Sequence, residues 1–526
     1  MRRGHGRPTL DGVDGGRVRD RAVAGVREAL GPAGPARDHP SRAARAGSTS
    51  AARTPPATTA SPSPSGASRT GRSCCDRPQA GEVQRTTIDV KEKGVVEGGR
   101  WDRRSLLRGA TVLAGAAATA PPLGGAATAR ARGGDADALF KAGKFEQAGR
   151  AYEEILRADP ANLNAARRRG YVGLLANRFP EAEKYLKMAI GLAPGDKDAN
   201  RFLADCYIRQ DKFALAAPHW QAAGRDVFAT WFAAVRGEPY QIHGDIARLP
   251  WPQMDPKPLV EASVNGGPSK RFTFYTGSPW LGLSSTVAKE AGLSPVASQK
   301  IDYLDGTIWQ YFGVLDSFRL GGIELRNIPV AWSESESGGD VDTGNDGMIG
   351  TWVFYHLLTT FDYAGRSLIL RCNTPEAARQ ARAAAERAGA EPLPLWLARE
   401  HMVHSRGSVA GSGPRVVALP IGGGSEAAAV MHGDTAEQLR IRTDYDRPIR
   451  THAHSHPAVT YPCYPKEIRL GSATAHDIYC NTHPESALAP LGFDVPVTFF
   501  HSFYKPYNIT LDFTGMNVYI ARGKAT

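Results

Sequence analysis

Phe145, Phe179 and Phe213 stand 34 residues apart. Ala148, Ala182 and Ala216 keep the same period, as do Pro160 and Pro194. A period of this length restricts the segment to units that each supply one supersecondary element and stack on their neighbours. Within a unit, the order Leu139-Phe140, Gly143, Phe145, Ala148, Tyr152, Leu156, Pro160 sets small and aromatic residues on facing sides of two helices. The alanines allow close approach, the aromatics fill the gap, and the proline starts the next unit. Three units over residues 135–225 suffice for a continuous core.

This pattern resembles tetratricopeptide repeats. The resemblance implies an α-helical solenoid whose concave face commonly takes an extended peptide or a protein partner. A second expectation is a plain spacer between the rest of the chain and a surface. Residues 226–257, with Trp231, Pro250, Trp251, Pro252 and Pro256, read as an aromatic linker into the second half of the chain.

That second half carries a different repetition. Leu320-Gly321 and Leu470-Gly471 are 150 residues apart, and so are Asp362 and Asp512. One offset kept at two landmarks argues for an internal duplication, hence two lobes around a cleft. Each half also has an apolar–Gly element (Asp346-Gly347-Met348-Ile349-Gly350; Pro490-Leu491-Gly492) and a final strand pair around its Asp. Together with Phe272-Thr273-Phe274-Tyr275-Thr276-Gly277-Ser278 and Leu283-Ser284, these strings resemble the aspartic peptidases of the retropepsin and pepsin type. The expected architecture is therefore multidomain: an α-helical tetratricopeptide-type solenoid followed by an all-β, two-lobed aspartic-peptidase-like domain. Its expected parts are a first lobe at 258–371, a helical connector at 372–413 and a second lobe at 414–526. Flaps are expected near 301–316 and 450–463.

The resemblance implies a catalytic Asp where this chain has Tyr275. Aspartic peptidases need two carboxylates sharing one proton, one a base towards water and the other an acid towards the carbonyl. A phenol with an ordinary pKa near ~10 cannot serve as the base. In the second half, Asp434-Thr435-Ala436 matches the Asp-Thr-Gly turn with Ala in place of Gly, so Asp434 is the candidate surviving carboxylate. The expected site is thus Asp434 with Tyr275 as catalytic candidates and Thr276, Gly277, Ser278, Thr435 and Ala436 as substrate-binding ones. Asp342-Thr343-Gly344 spells the tripeptide too, but it comes after a polar loop and leaves no room for a flap. His452, His454 and His456 alternate as metal ligands on a strand can, yet they fall where the second flap is expected. No metal and no cofactor are expected.

Three functions are compatible with these residues. The first is a protein impaired as a peptidase that holds a peptide, protein or other ligand in its cleft. The second is an active acid hydrolase using Asp434 with Tyr275, and the third a cleft turned to small-molecule acid/base chemistry. Whether the chain is an enzyme stays open at this point.

The formal charge of +11 belongs to the leader. Residues 1–132 hold 23 of the 64 Lys and Arg and 11 of the 53 Asp and Glu, leaving 41 and 42 beyond them. Nucleic acid is therefore not an expected partner. Residues 1–100 are rich in Arg, Pro, Ser, Thr and Ala without apolar periodicity, the composition of a disordered segment or of a mis-assigned start with initiation at Val83, Val95 or Val96. Residues 101–132 resemble a twin-arginine signal: Arg103-Arg104, a weak apolar run and the small-residue endings Ala127-Thr128-Ala129 and Ala129-Arg130-Ala131. That resemblance implies export of a bacterial protein to the envelope or beyond. Cys463 and Cys480 read either as a pair or as free buried thiols.

Overall fold

The computed structural model describes residues 134–303, 306–336, 344–423, 426–453, 456–483 and 491–524. The leader and signal segment, Asp342-Thr343, His454 and the side chains of His452 and His456 lie outside the described residues.

Seven helices make the solenoid: α1 (134–141), α2 (Phe145–Ala158), α3 (Leu163–Leu175), α4 (Phe179–Leu192), α5 (Lys197–Ile208), α6 (Phe213–Ala222) and α7 (Asp226–Ala234). Each periodic Phe opens the second helix of its pair. Asn162 and Asp196 lie just after Pro160 and Pro194, and their side chains accept from the backbone N–H groups of Ala165 and Ala199, capping α3 and α5. Ala148, Ala182 and Ala216 are fully buried. A methyl on Gly173 would stand 3.0 Å from the Ala182 backbone nitrogen, which shows how close the helices run. Tyr171 and Phe202 stack across the gap at 4.1 Å.

The repeats dock onto the rest of the same chain. Phe145 meets both Trp396 and Phe493 at 5.0 Å, edge to face. Arg209, only 4% exposed, donates to the carbonyls of Leu174 (2.7 Å) and Leu397 (2.9 Å) and to that of Arg399. A guanidinium fits here because its fixed fork satisfies several carbonyls at once. Segment 396–399 of the chain itself is therefore held by the end of α5.

This joint has a pH signature. Asp205, 2% exposed on α5, is held well above the usual carboxylate range by burial and by the neighbouring Glu400, against the pull of Arg209, Arg201 and Arg399. Burial works against the Glu400 charge too, but His401 and Arg399 keep it ionised. Fully buried His404 is pushed down to about 4 by burial. Native Asp205 keeps a proton that the unfolded chain releases near pH ~4, so its contribution is lost as pH rises through its raised value. The His404 contribution has the opposite sign and is complete once pH passes ~6.5. Stability should therefore fall between pH ~6.5 and ~8, and Asp205→Asn should flatten that fall. Unfolding midpoints at constant ionic strength check this; an unchanged slope in the variant contradicts it.

The β region consists of two lobes with the same order of parts. The first runs Lys270–Phe274, a turn, Leu281–Leu283, helix Ser285–Glu290, flap hairpin Ala297–Tyr303/Gly306–Leu320, Ile323–Ser335, Gly347–Ile349, helix Thr351–Tyr355 and the pair Leu357–Asp362/Ser367–Cys372. The second runs Ser412–Ala418, a turn, Ala429–His432, helix Gly433–Gln438, flap hairpin Ile449–Ala453/His456–Tyr464, three short strands, Val497–Phe499, helix His501–Tyr504 and Tyr507–Asp512/Asn517–Arg522. The final pairs join in one six-stranded sheet in which Thr360 faces Thr510, and their hydroxyls bond at 2.8 Å. These two are the same position 150 residues apart, so the pseudo-twofold axis passes between them.

Two expected boundaries move. The presumed linker holds α7 and the strands Gln241–His243 and Ile246–Pro250, which edge the first lobe's sheet and the shared sheet. The presumed connector is helical only over Pro375–Arg387, capped by Thr374 and without buried residues. From Leu393 onward it supplies Leu393–Pro394 to the shared sheet, and Trp396–Ala398 and Met402–Val409 to the second lobe.

Candidate functional site

Strand Lys270–Phe274 runs parallel to Gly347–Ile349 and delivers Tyr275 to the lobe boundary, where its N–H bonds the Ile349 carbonyl at 2.9 Å. Thr276 comes next and is 1% exposed. Its N–H bonds the Ile421 carbonyl at 2.9 Å, its hydroxyl donates to the Leu419 carbonyl at 3.0 Å, and the same oxygen accepts from the Ile421 N–H at 2.7 Å. Behind it, the Thr351 hydroxyl donates to the Thr276 carbonyl at 2.9 Å, and the Ser278 carbonyl accepts from the Thr351 N–H at 2.8 Å.

These bonds locate the second turn. Thr276 crosses to Ile421 across the axis, so Ile421 is its counterpart, Pro420 is that of Tyr275, and Gly422 that of Gly277. The strand order agrees: Ser412–Ala418 leads into Pro420 as Lys270–Phe274 leads into Tyr275, and it too pairs parallel with the strand before the late helix (Ala418 with Thr498). The crossing therefore carries a phenol on one side and a proline on the other.

Asp434, Thr435 and Ala436 are placed elsewhere. They lie on helix Gly433–Gln438, beyond the strand that comes after the turn, in the position of Ser285–Glu290 in the first lobe. The Asp434 side chain is 76% exposed and lies 3.6 Å from the His432 ring. Thr435 and Ala436 are buried and anchor the helix; their carbonyls accept from Leu439 and Ile441. Alanine continues a helix where the glycine of an active-site turn would break it, which is why the look-alike string folds differently. Tyr275, Thr276, Gly277 and Ser278 stay together in the first turn.

The Tyr275 ring spans the crossing. A Cβ added to Gly277 would fall 2.2 Å from it and one added to Gly423 would fall 2.4 Å from it, so both glycines make room for the phenol. Burial pushes the phenol pKa up, keeping it a neutral O–H donor. Among the described residues this hydroxyl has no hydrogen-bond partner. Below the second turn, the Tyr363 hydroxyl accepts from the Gly422 N–H at 3.1 Å. His501, 1% exposed, occupies the place of Thr351 and reaches Asp255 at 3.2 Å. Lys505 lies 2.6 Å from Asp255, and it, then His501, holds that carboxyl below its usual range.

Tyr363, His501, Asp255 and Pro420 were not anticipated. The 150-residue offset that relates Thr351 to His501 was the available signal for one of them. Cys463 and Cys480 face each other across antiparallel strands as free, buried thiols. Burial pushes Cys463 up to about 12 and Cys480 higher, leaving both poor nucleophiles.

Comparison with known proteins agrees with this architecture. The tetratricopeptide repeat family matches residues 135–197 and the aspartyl protease family matches residues 260–353. The chain thus joins tetratricopeptide repeats to an aspartic-peptidase-like domain. No curated protein matches it. Among solved structures, a mutant O-GlcNAc transferase from Thermobaculum terrenum aligns at 18% identity and a TM-score of 0.20, over 22% of this chain and 24% of that one. So low a score carries no argument, and the chain spans only about a quarter of that protein's length.

Proposed function

We propose that this is an exported, catalytically silent member of the aspartic-peptidase-like fold that holds a peptide or other ligand in its inter-lobe cleft. The observation that carries it is the crossing itself: Tyr275 and Pro420 stand where the resemblance implies two carboxylates, and neither can act as a base towards water. Asp434, the candidate second carboxylate, has an exposed side chain on helix Gly433–Gln438. Support for ligand binding is the floor formed by Tyr275, Gly277, Ser278 and Gly423, whose phenolic donor has no partner among the described residues. Export rests on Arg103-Arg104 and the Ala-rich run after them.

Peptide mixtures incubated with the intact protein at acid and neutral pH should yield no products, and Asp434→Asn should change nothing. A statine-containing peptide, which imitates a tetrahedral intermediate and cannot be cleaved, should bind saturably and less tightly to Tyr275→Phe. Sustained cleavage that Tyr275→Phe abolishes would replace this reading with a Tyr-dependent hydrolase.

A further inference from the structure

The two flaps are built alike but are supported differently. Behind the first flap stands α7, the helix that closes the solenoid. Its Trp231 is fully buried, and the indole N–H donates to the Gly313 carbonyl of flap strand Gly306–Leu320 at 2.8 Å. The Trp231 ring lies 4.6 Å from that of Phe312 in the same strand, and Phe228 meets Phe312 at 5.8 Å. The contact continues into the lobe through Trp280, 5.7 Å from both Trp231 and Phe312, and Trp352, 5.9 Å from Trp231. An aromatic cluster of this size, closed by a hydrogen bond to backbone, excludes water and resists local opening.

The second flap lacks this backing among the described residues. In both flaps the first strand pairs only with the second among the described residues, Ala297–Tyr303 with Gly306–Leu320 and Ile449–Ala453 with His456–Tyr464, so the difference lies in what packs behind the hairpin. By the 150-residue offset, Phe312 and Gly313 correspond to Pro462 and Cys463, so the aromatic that the solenoid grips in the first lobe has no equivalent in the second.

We infer that the solenoid latches the first flap through Trp231, and that the cleft opens by movement of the second flap alone. The repeats then act as a brace on their own chain, and ligand enters from the side of the second lobe. The motion is independent of whether the cleft is catalytic.

Amide hydrogen exchange on the full chain tests this. In the wild type, amides of 308–315 should exchange at least about tenfold more slowly than those of 457–463. Trp231→Ala should speed exchange in 308–315 by about tenfold or more and leave 457–463 unchanged. Trp231→Phe, which keeps a ring and removes only the donor, should have a smaller effect in the same place and guards against misfolding of the alanine variant. Equal exchange of the two flaps in the wild type, or no change at 308–315 in either variant, would overturn the inference.

Discussion

Tyr275→Asp alone should produce no peptidase, and only its combination with Pro420→Asp should. A single carboxylate at the crossing would ionise without a like charge opposing it, so no proton would be shared and no acid would stand opposite the base. The missing general acid–base partner corresponds to a rate deficit of about 10²–10⁴ relative to a complete pair. In the double variant the two side chains would face each other where the phenol now lies, with Gly277 and Gly423 lining the vacated space. Pro420→Asp would also restore a backbone N–H at the position where Tyr275 bonds the Ile349 carbonyl. Turnover of a fluorogenic peptide from pH ~3 to ~7, with circular dichroism as a folding control, makes the comparison. Activity in the Tyr275→Asp single variant would mean that a second acid reaches the crossing from elsewhere. A folded but inactive double variant would show that the turns no longer align for water activation.

The pairing of Tyr275 with Pro420 also explains where sequence reading succeeded and where it failed. The 34-residue period revealed the solenoid because each helix pair reuses one solution to close packing, with Ala148, Ala182 and Ala216 at one contact. The 150-residue offset revealed the lobes because Thr360 and Thr510 meet on the axis and both flanking strands must keep register. The second turn has no such constraint on its side chains. Thr276 takes its bonds from the Leu419 carbonyl, which any residue supplies, and from the Ile421 backbone, which any residue but proline supplies, so Pro420-Ile421-Gly422 retains only the glycine of the pattern. Asp434-Thr435-Ala436 looked the better match by letters alone. Position relative to strands would have chosen correctly, since Pro420 comes soon after the apolar Val416-Val417-Ala418 as Tyr275 comes after Phe272-Thr273-Phe274.

The docking of the solenoid was hidden for another reason. Arg209 and Asp205 are charged residues on a helix, which pattern reading assigns to solvent, yet both are almost fully buried against segment 396–404. Their burial depends on carbonyls and ionisable groups some 190 residues away, such as the Arg399 carbonyl and the Glu400 carboxylate. Short strands such as Leu393–Pro394 and Trp396–Ala398 similarly lack the alternation that announces a strand, because Trp396–Ala398 is buried on both faces.

Gly422→Ala should be among the most damaging single changes in the molecule, at about 3–5 kcal/mol. Gly422 has φ +93°, a conformation that an alanine adopts only with strain. Its new Cβ would stand 2.1 Å from the Phe274 carbonyl oxygen and 2.4 Å from the Phe274 ring. Neither neighbour can yield cheaply: the carbonyl is backbone, and the fully buried ring packs 5.2 Å from both Trp251 and Phe361. Relief by shifting the turn would break the Gly422 N–H bond to Tyr363 and the Thr276 crossing beside it. Gly423→Ala is the informative contrast. The three atoms nearest its Cβ would all belong to the Tyr275 ring, the first at 2.4 Å, and that ring is partly exposed and held by no hydrogen bond among the described residues. It can swing towards the cleft, so the cost should stay near ~1–2 kcal/mol, the size of an overpacked side chain that finds a new rotamer. Chemical denaturation of the two variants reads the difference. Equal losses would mean that Tyr275 is fixed in place, and a small loss for Gly422→Ala would mean that the second turn does not sit against Phe274 as described.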